Sequence, residues 1–134
     1  MGAHSHPHAE PPDTLGQILS AVCAVHCVSM PAVMVIAPAA ASVLGGAHPI
    51  LLMLVIGVAF WAFVPGYRCH QSKLVMGLAL TGITLLATAA FVLHQWFNAE
   101  TVVSIIGASV MMTAHWQNRK LLREAHSHAH AHAH

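Results

Sequence analysis

Long apolar stretches separated by short polar segments dominate this chain. Charged residues are missing from three stretches, which cover residues 14–67, 74–99 and 101–118. A helix needs about 20 mostly apolar residues to cross the hydrocarbon core of a bilayer. The first stretch is long enough for two such helices, and each of the others is long enough for one. The pattern therefore predicts four membrane-spanning helices.

The predicted spans end where proline, glycine or polar residues interrupt the apolar pattern. They cover residues 15–36, 50–67, 74–97 and 101–117. Because the connections are short, we expect neighbouring helices to run antiparallel in an all-α four-helix transmembrane domain over residues 15–117. A histidine-containing segment (1–14), which we expect to be disordered, precedes this domain. A polar, histidine-rich tail (118–134) follows it, and its composition also indicates disorder.

The composition supports a membrane protein. Charged residues make up 7% of the chain and hydrophobic residues 57%, whereas an ordinary globular domain has about 25% charged residues. So few charges cannot cover the surface of a water-soluble body of this size. The formal net charge of +1 and the lack of a basic stripe argue against nucleic acid as a partner.

The positions of the basic residues predict the orientation in the membrane. Four spans place both termini and the middle loop on the same side. That side then carries every Lys and Arg of the chain: Arg68, Lys73, Arg119, Lys120 and Arg123. Because basic loops stay in the cytoplasm, we expect a multi-pass protein of the bacterial inner membrane with both termini cytoplasmic.

Cys23, His26 and Cys27 form the strongest candidate site, in the middle of the first predicted span. Spacings of three and four residues place the side chains on one helix face. Two thiolates and an imidazole can bind soft or borderline ions such as Cu(I), Zn(II) or Hg(II). Taken singly, a cysteine can be a small core residue and a histidine can bond to a carbonyl. Three such residues together in an uncharged span favour a metal site.

A second set of candidate ligands lies at the predicted cytoplasmic face. It comprises Cys69 and His70 after the second span, and His115 beside Asn118 at the end of the fourth. These residues could receive an ion from Cys23 by ligand exchange. The alternative is that they are ordinary interfacial histidines and an exposed thiol.

Other histidines carry weaker signals. His48 and His94 fall at the opposite membrane face, where they are either ligands or interfacial polar groups. Histidine tracts at both ends are typical of metal-binding segments, although a purification tag is the alternative for the last one. The histidines of these tracts are His4, His6, His8, His126, His128, His130, His132 and His134.

Three segments resemble the MerC-type mercury-resistance membrane proteins. They are Leu19-Ser-Ala-Val-Cys23-Ala-Val-His26-Cys27-Val-Ser-Met-Pro31, Gly66-Tyr-Arg68-Cys-His70 and His115-Trp-Gln-Asn118-Arg119. The resemblance covers about residues 15–123 and implies an inner-membrane carrier that brings Hg(II) from the periplasm to the cytoplasm. It also implies that Cys23 and Cys27 are the metal site. The chain departs from this pattern because His26 lies within the cysteine pair and the tail carries histidines instead of a second cysteine pair.

The leading hypothesis is uptake of a thiophilic metal ion, with Hg(II) as the ion that the resemblance implies. The departures favour a borderline ion such as Zn(II) as the alternative cargo, and a membrane-anchored metal-binding or sensor module as the alternative function. We expect no enzyme activity and no resident cofactor. A thiol–disulfide enzyme is disfavoured because no cysteine falls on the periplasmic side. The expected partners are the metal ion, the lipid bilayer, and a second copy of the chain or a cytoplasmic metal acceptor.

Overall fold

The computed structural model describes residues 11–93 and 95–131, and every regular element in these ranges is an α-helix. The helices are α1 (Pro11–Ile36), α2 (Pro38–Gly45), α3 (Ala47–His70), α4 (Lys73–Phe91) and α5 (Phe97–Ala131). No strand occurs in the described ranges, so the prediction of an all-α fold is confirmed. Predictions on residues 1–10, His94 and residues 132–134 lie outside the described residues.

Three helices are long and apolar enough to cross a membrane. These segments are Pro12–Met30 in α1, Pro49–His70 in α3 and Lys73–Phe91 in α4. They correspond to the first three predicted spans. The fourth predicted span, 101–117, lies inside α5, which is not among them in the described part of the chain. Its buried face carries the polar residues Glu100, Ser104, His115 and Asn118, so the four-span count stays a prediction.

Helix α5 packs along both α1 and α4 and so forms the centre of the bundle. Small residues allow the close approach to α4, as expected for helices in lipid. A Cβ atom placed on Gly82 would lie 2.6 Å from Cγ of Met111, and one placed on Gly107 would lie 3.0 Å from Cγ of Leu86. Any larger residue at these positions would push the two helices apart.

Helices α1 and α5 run antiparallel. Asp13, at the start of α1, contacts His115 and Asn118 in the second half of α5, and Cys23 shares a cavity with Ser104 in its first half. Helix α5 has 35 residues and is therefore about 52 Å long. It extends past the start of α1 and includes most of the segment that was predicted to be a polar tail from residue 118.

Two helix boundaries on the N-terminal side of the bundle differ from the prediction. Helix α1 begins at Pro11, where a proline is favourable because its missing N–H is not needed, rather than at residue 15. The region between the first two spans, for which no helix was predicted, contains α2, which starts with Pro38 and continues through Ala39-Ala40-Ala41. Proline followed by alanines is a good helix start.

The ends of α3 and α4 also differ from the prediction. Helix α3 continues through Pro65 to His70 instead of ending at residue 67, and Gln71 closes it in a left-handed conformation with φ 49°. Helix α4 ends at Phe91 instead of residue 97. Ser72 caps the start of α4 by accepting a hydrogen bond of 3.5 Å from the backbone N–H of Val75.

Candidate metal site and a buried polar network

The thiols of Cys23 and Cys27 lie one helical turn apart on the buried face of α1. Their side chains are 6% and 2% exposed, neither cysteine forms a disulfide, and the two thiols are close enough to interact. The i, i+4 spacing on a helix explains why they meet. Two sulfur atoms held this close can bind one thiophilic ion between them.

His26 occupies the position before Cys27 on the same helix. It is half-buried, and its Nε2 atom is inaccessible to solvent. Across the described residues, no group of three or more His, Cys, Asp or Glu side chains is close enough to hold a metal ion. The structure thus presents a pair of thiols, and metal binding by His26 stays a prediction.

A small cavity lies beside Cys23 where four helices meet. Its walls are Cys23 of α1, Leu52 and Val55 of α3, Leu86 and Ala90 of α4, and Ser104 of α5. The lining is apolar except for the Cys23 thiol and the Ser104 hydroxyl. Ser104 is 4% exposed, so a buried polar residue of α5 lies beside the apolar segments of α1, α3 and α4.

Asp13, His115 and Asn118 form a buried polar network at one end of the bundle. The Nδ1 atom of His115 lies 3.0 Å from Oδ1 of Asp13. The Asn118 amide donates to both carboxylate oxygens of Asp13, at 3.1 and 2.8 Å. All three side chains are at most 1% exposed. A buried carboxyl group needs such donors because its desolvation is otherwise costly.

His70 extends this polar network to the end of α3. Its Nε2 atom lies 2.8 Å from Oδ1 of Asn118, and its Nδ1 atom accepts a hydrogen bond of 2.9 Å from the backbone N–H of Ser72. Because Nδ1 accepts, the network assigns the ring proton to Nε2, which then donates to Asn118. Asn118 therefore connects Asp13 of α1 with His70 of α3.

The His115 ring is held between two other helices. It stacks on Phe63 of α3 with ring centroids 4.5 Å apart. Its Cε1 and Nε2 edge lies directly against Gly16 of α1, where a Cβ atom would overlap the ring. Its Nδ1 atom bonds to Asp13 and its Nε2 atom is covered by Gly16, so His115 links α5 to α1. Its ring also packs against α3 through Phe63.

The structure brings together some predicted site residues and separates others. His70 contacts Asn118, and His115 contacts Asp13, so the two histidines belong to the same polar network. Cys69 is exposed on α3, away from the buried thiol pair. Sequence reasoning did not find Asp13, although an acidic residue in the first turn after two prolines is a recognisable helix start.

Comparison with known proteins gives one match. Residues 13–120 match the family model described as MerC mercury resistance protein. A search of curated proteins and a search of solved structures each found no match. The matched segment extends from Asp13 to Lys120, so it contains both the thiol pair and the whole polar network.

Proposed function

Because the chain belongs to the MerC mercury resistance protein family, and is a multi-pass membrane protein, we propose that it carries Hg(II) across the bacterial inner membrane into the cytoplasm. Cys23 and Cys27 bind the ion during transit. The ion is the cargo of the protein and not a resident cofactor.

The buried thiol pair is the observation that carries this proposal. Cys23 and Cys27 lie on a helix segment that is apolar enough to span the membrane, and both are buried against the other helices. Thiolates are the protein ligands preferred by soft ions. Each thiol releases its proton when the metal binds, so binding should weaken in acid.

The proposed topology has four spans and both termini in the cytoplasm. It is supported by α5, which packs antiparallel along α1, and by the placement of all basic residues at the end of the bundle that holds the polar network. Arg119 at this end lies 3.5 Å from the hydroxyl of Thr14. Basic residues at one end are retained in the cytoplasm.

Cys69, His70 and His115 form the proposed exit on the cytoplasmic side. Both nitrogens of His70 are engaged in hydrogen bonds, and the His115 ring is held by Asp13 and Gly16. For either imidazole to receive the ion, a hydrogen bond has to be exchanged for a metal bond. The thiol of Cys69 is exposed and can bind the ion without first giving up such a hydrogen bond.

Uptake of radioactive Hg(II) and Zn(II) by cells that produce the protein tests the proposal. We expect Hg(II) uptake to fall to the background of cells without the protein when Cys23 and Cys27 are both replaced by Ser. Equal membrane levels of the two proteins, measured by immunoblot, serve as the control. Hg(II) uptake that is unchanged by the double substitution would exclude transport through the thiol pair.

Zn(II) transport is the second candidate function, and His26 beside the thiol pair favours it because imidazole is a good zinc ligand. Thiol-dependent Zn(II) uptake without Hg(II) uptake would establish it. A membrane-anchored metal buffer or sensor is the third candidate, supported by the histidine-rich tail. Replacing the histidines of residues 126–134 with Ala should abolish the function of a tail-based buffer, whereas a carrier should keep transporting.

A further inference from the structure

The cavity beside Cys23 is also lined by a polar side chain, Ser104, that is not part of the thiol pair. Ser104 lies on α5, across the cavity from Cys23 of α1, and the rest of the lining is aliphatic. Ser104 is 4% exposed, and a hydroxyl in such an apolar setting is costly to bury unless it finds a polar partner. Its position therefore calls for a partner inside the cavity.

Ser104 differs from the other hydroxyl residues of α5. Ser109 donates to the backbone oxygen of Ile105 at 2.8 Å, and Thr113 donates to that of Ser109 at 2.9 Å. Such bonds within the helix satisfy a hydroxyl in lipid. Among the described residues, the Ser104 hydroxyl makes no bond of this kind. It lines the cavity with Cys23 instead.

We propose that Ser104 provides an oxygen ligand to the metal ion bound by Cys23 and Cys27, so that the occupied site bridges α1 and α5. This inference rests on the proposed metal-binding function and deepens it. The cysteines bind after losing their protons, whereas Ser104 binds as a neutral hydroxyl through its oxygen. The aliphatic walls formed by Leu52, Val55, Leu86 and Ala90 leave little room for water ligands.

The chemistry of the oxygen predicts its effect on ion selectivity. Oxygen is a better ligand for the borderline ion Zn(II) than for a soft ion, which prefers sulfur. Ser104 should therefore contribute more to Zn(II) binding than to Hg(II) binding. Placing a thiol at the same point of the cavity should shift the preference towards Hg(II).

Metal titrations of the purified full-length protein in lipid nanodiscs test this ligand role. With Ser104→Ala, we expect the affinity for Zn(II) to fall about tenfold and the affinity for Hg(II) to change less. Ser109→Ala is the matched control, because Ser109 lies on the same helix, is exposed and bonds to its own helix. Its affinities for both ions should equal those of the wild type.

A cysteine substitution keeps the test independent of a loss of folding. In Ser104→Cys, X-ray absorption at the mercury edge should show an additional sulfur ligand on bound Hg(II), compared with the wild type. Ser109→Cys adds a thiol that cannot reach the cavity and should leave the sulfur count unchanged. An unchanged count in Ser104→Cys, or an equal loss of affinity in both alanine variants, would overturn the assignment of Ser104.

The same titrations separate this inference from the proposed function. If the wild type binds Hg(II) through its thiol pair while all Ser104 variants behave like the wild type, only the role of Ser104 is wrong. If the wild type binds neither Hg(II) nor Zn(II) through Cys23 and Cys27, both the transport proposal and the role of Ser104 fail.

Discussion

Replacing Asp13 with Ala should destabilise the bundle more than any substitution of an exposed acidic residue. Asp13 is fully buried and accepts hydrogen bonds from His115 at 3.0 Å and from Asn118 at 2.8 and 3.1 Å. Its removal leaves two buried donors without their acceptor. These donors lie on α5, so the hydrogen bonds that Asp13 makes between α1 and α5 are lost at this end of the bundle.

The expected loss follows from these contacts. A hydrogen bond to a charged group contributes about 1.5–3 kcal/mol, and removing one partner of a buried ion pair, the upper limit for this site, costs about 3–5 kcal/mol. Asn118 keeps a long hydrogen bond of 3.4 Å to the backbone oxygen of Ala62, and this bond offsets a small part of the lost stability. We therefore expect Asp13→Ala to lower the free energy of unfolding by about 3 kcal/mol.

Reversible unfolding in mixed micelles, followed by tryptophan fluorescence, measures this loss. Glu124→Ala is the matched control, because Glu124 is 52% exposed and lies 3.9 Å from Lys120. An exposed pair of this kind contributes about 0–0.5 kcal/mol. If the free energy of unfolding of Asp13→Ala stays within about 1 kcal/mol of the wild-type value, the polar network does not hold α1 and α5 together and the prediction is refuted.

Three further predictions follow from the structure. Gly16→Ala should lower the free energy of unfolding by about 1–3 kcal/mol, because its Cβ would overlap the His115 ring. Gly57→Ala is the control in the same unfolding assay. It has open space around it and should leave the free energy of unfolding unchanged or raise it. Asn118→Asp should lower the free energy of unfolding by about 3 kcal/mol or more, since it places two carboxyl groups together in a buried site. A free energy of unfolding equal to that of the wild type would contradict this prediction. Cys69 should react with a membrane-impermeant maleimide in inverted vesicles and not in intact spheroplasts; labelling in spheroplasts would contradict the cytoplasmic placement.

Much of the fold can be predicted from the sequence because lipid imposes a simple rule on spanning helices. Charge-free stretches correctly predict the apolar helices α1, α3 and α4, and the structure packs α3 against both of the others. Helix ends are harder to predict. Pro65 was expected to end α3, yet a helix inside a bundle can keep a proline when neighbouring groups compensate for the lost hydrogen bond.

The candidate site could be predicted only in part. The i, i+4 spacing correctly places Cys23 and Cys27 side by side, because local helix geometry fixes it. Asp13 and Ser104 could not be found in this way, since their roles depend on how α1 and α5 pack against each other. Asp13 was assigned to a disordered lead-in because its charge marked the end of an apolar stretch.

Transport by the purified protein tests the central claim most directly. Proteoliposomes containing only this chain would be loaded with a membrane-impermeant thiol chelator, and the accumulation of external radioactive Hg(II) would be followed over time. We predict faster accumulation than in protein-free liposomes, and a return to the protein-free rate when Cys23 and Cys27 are replaced by Ser. Equal rates for the wild type, the double variant and protein-free liposomes would contradict the account.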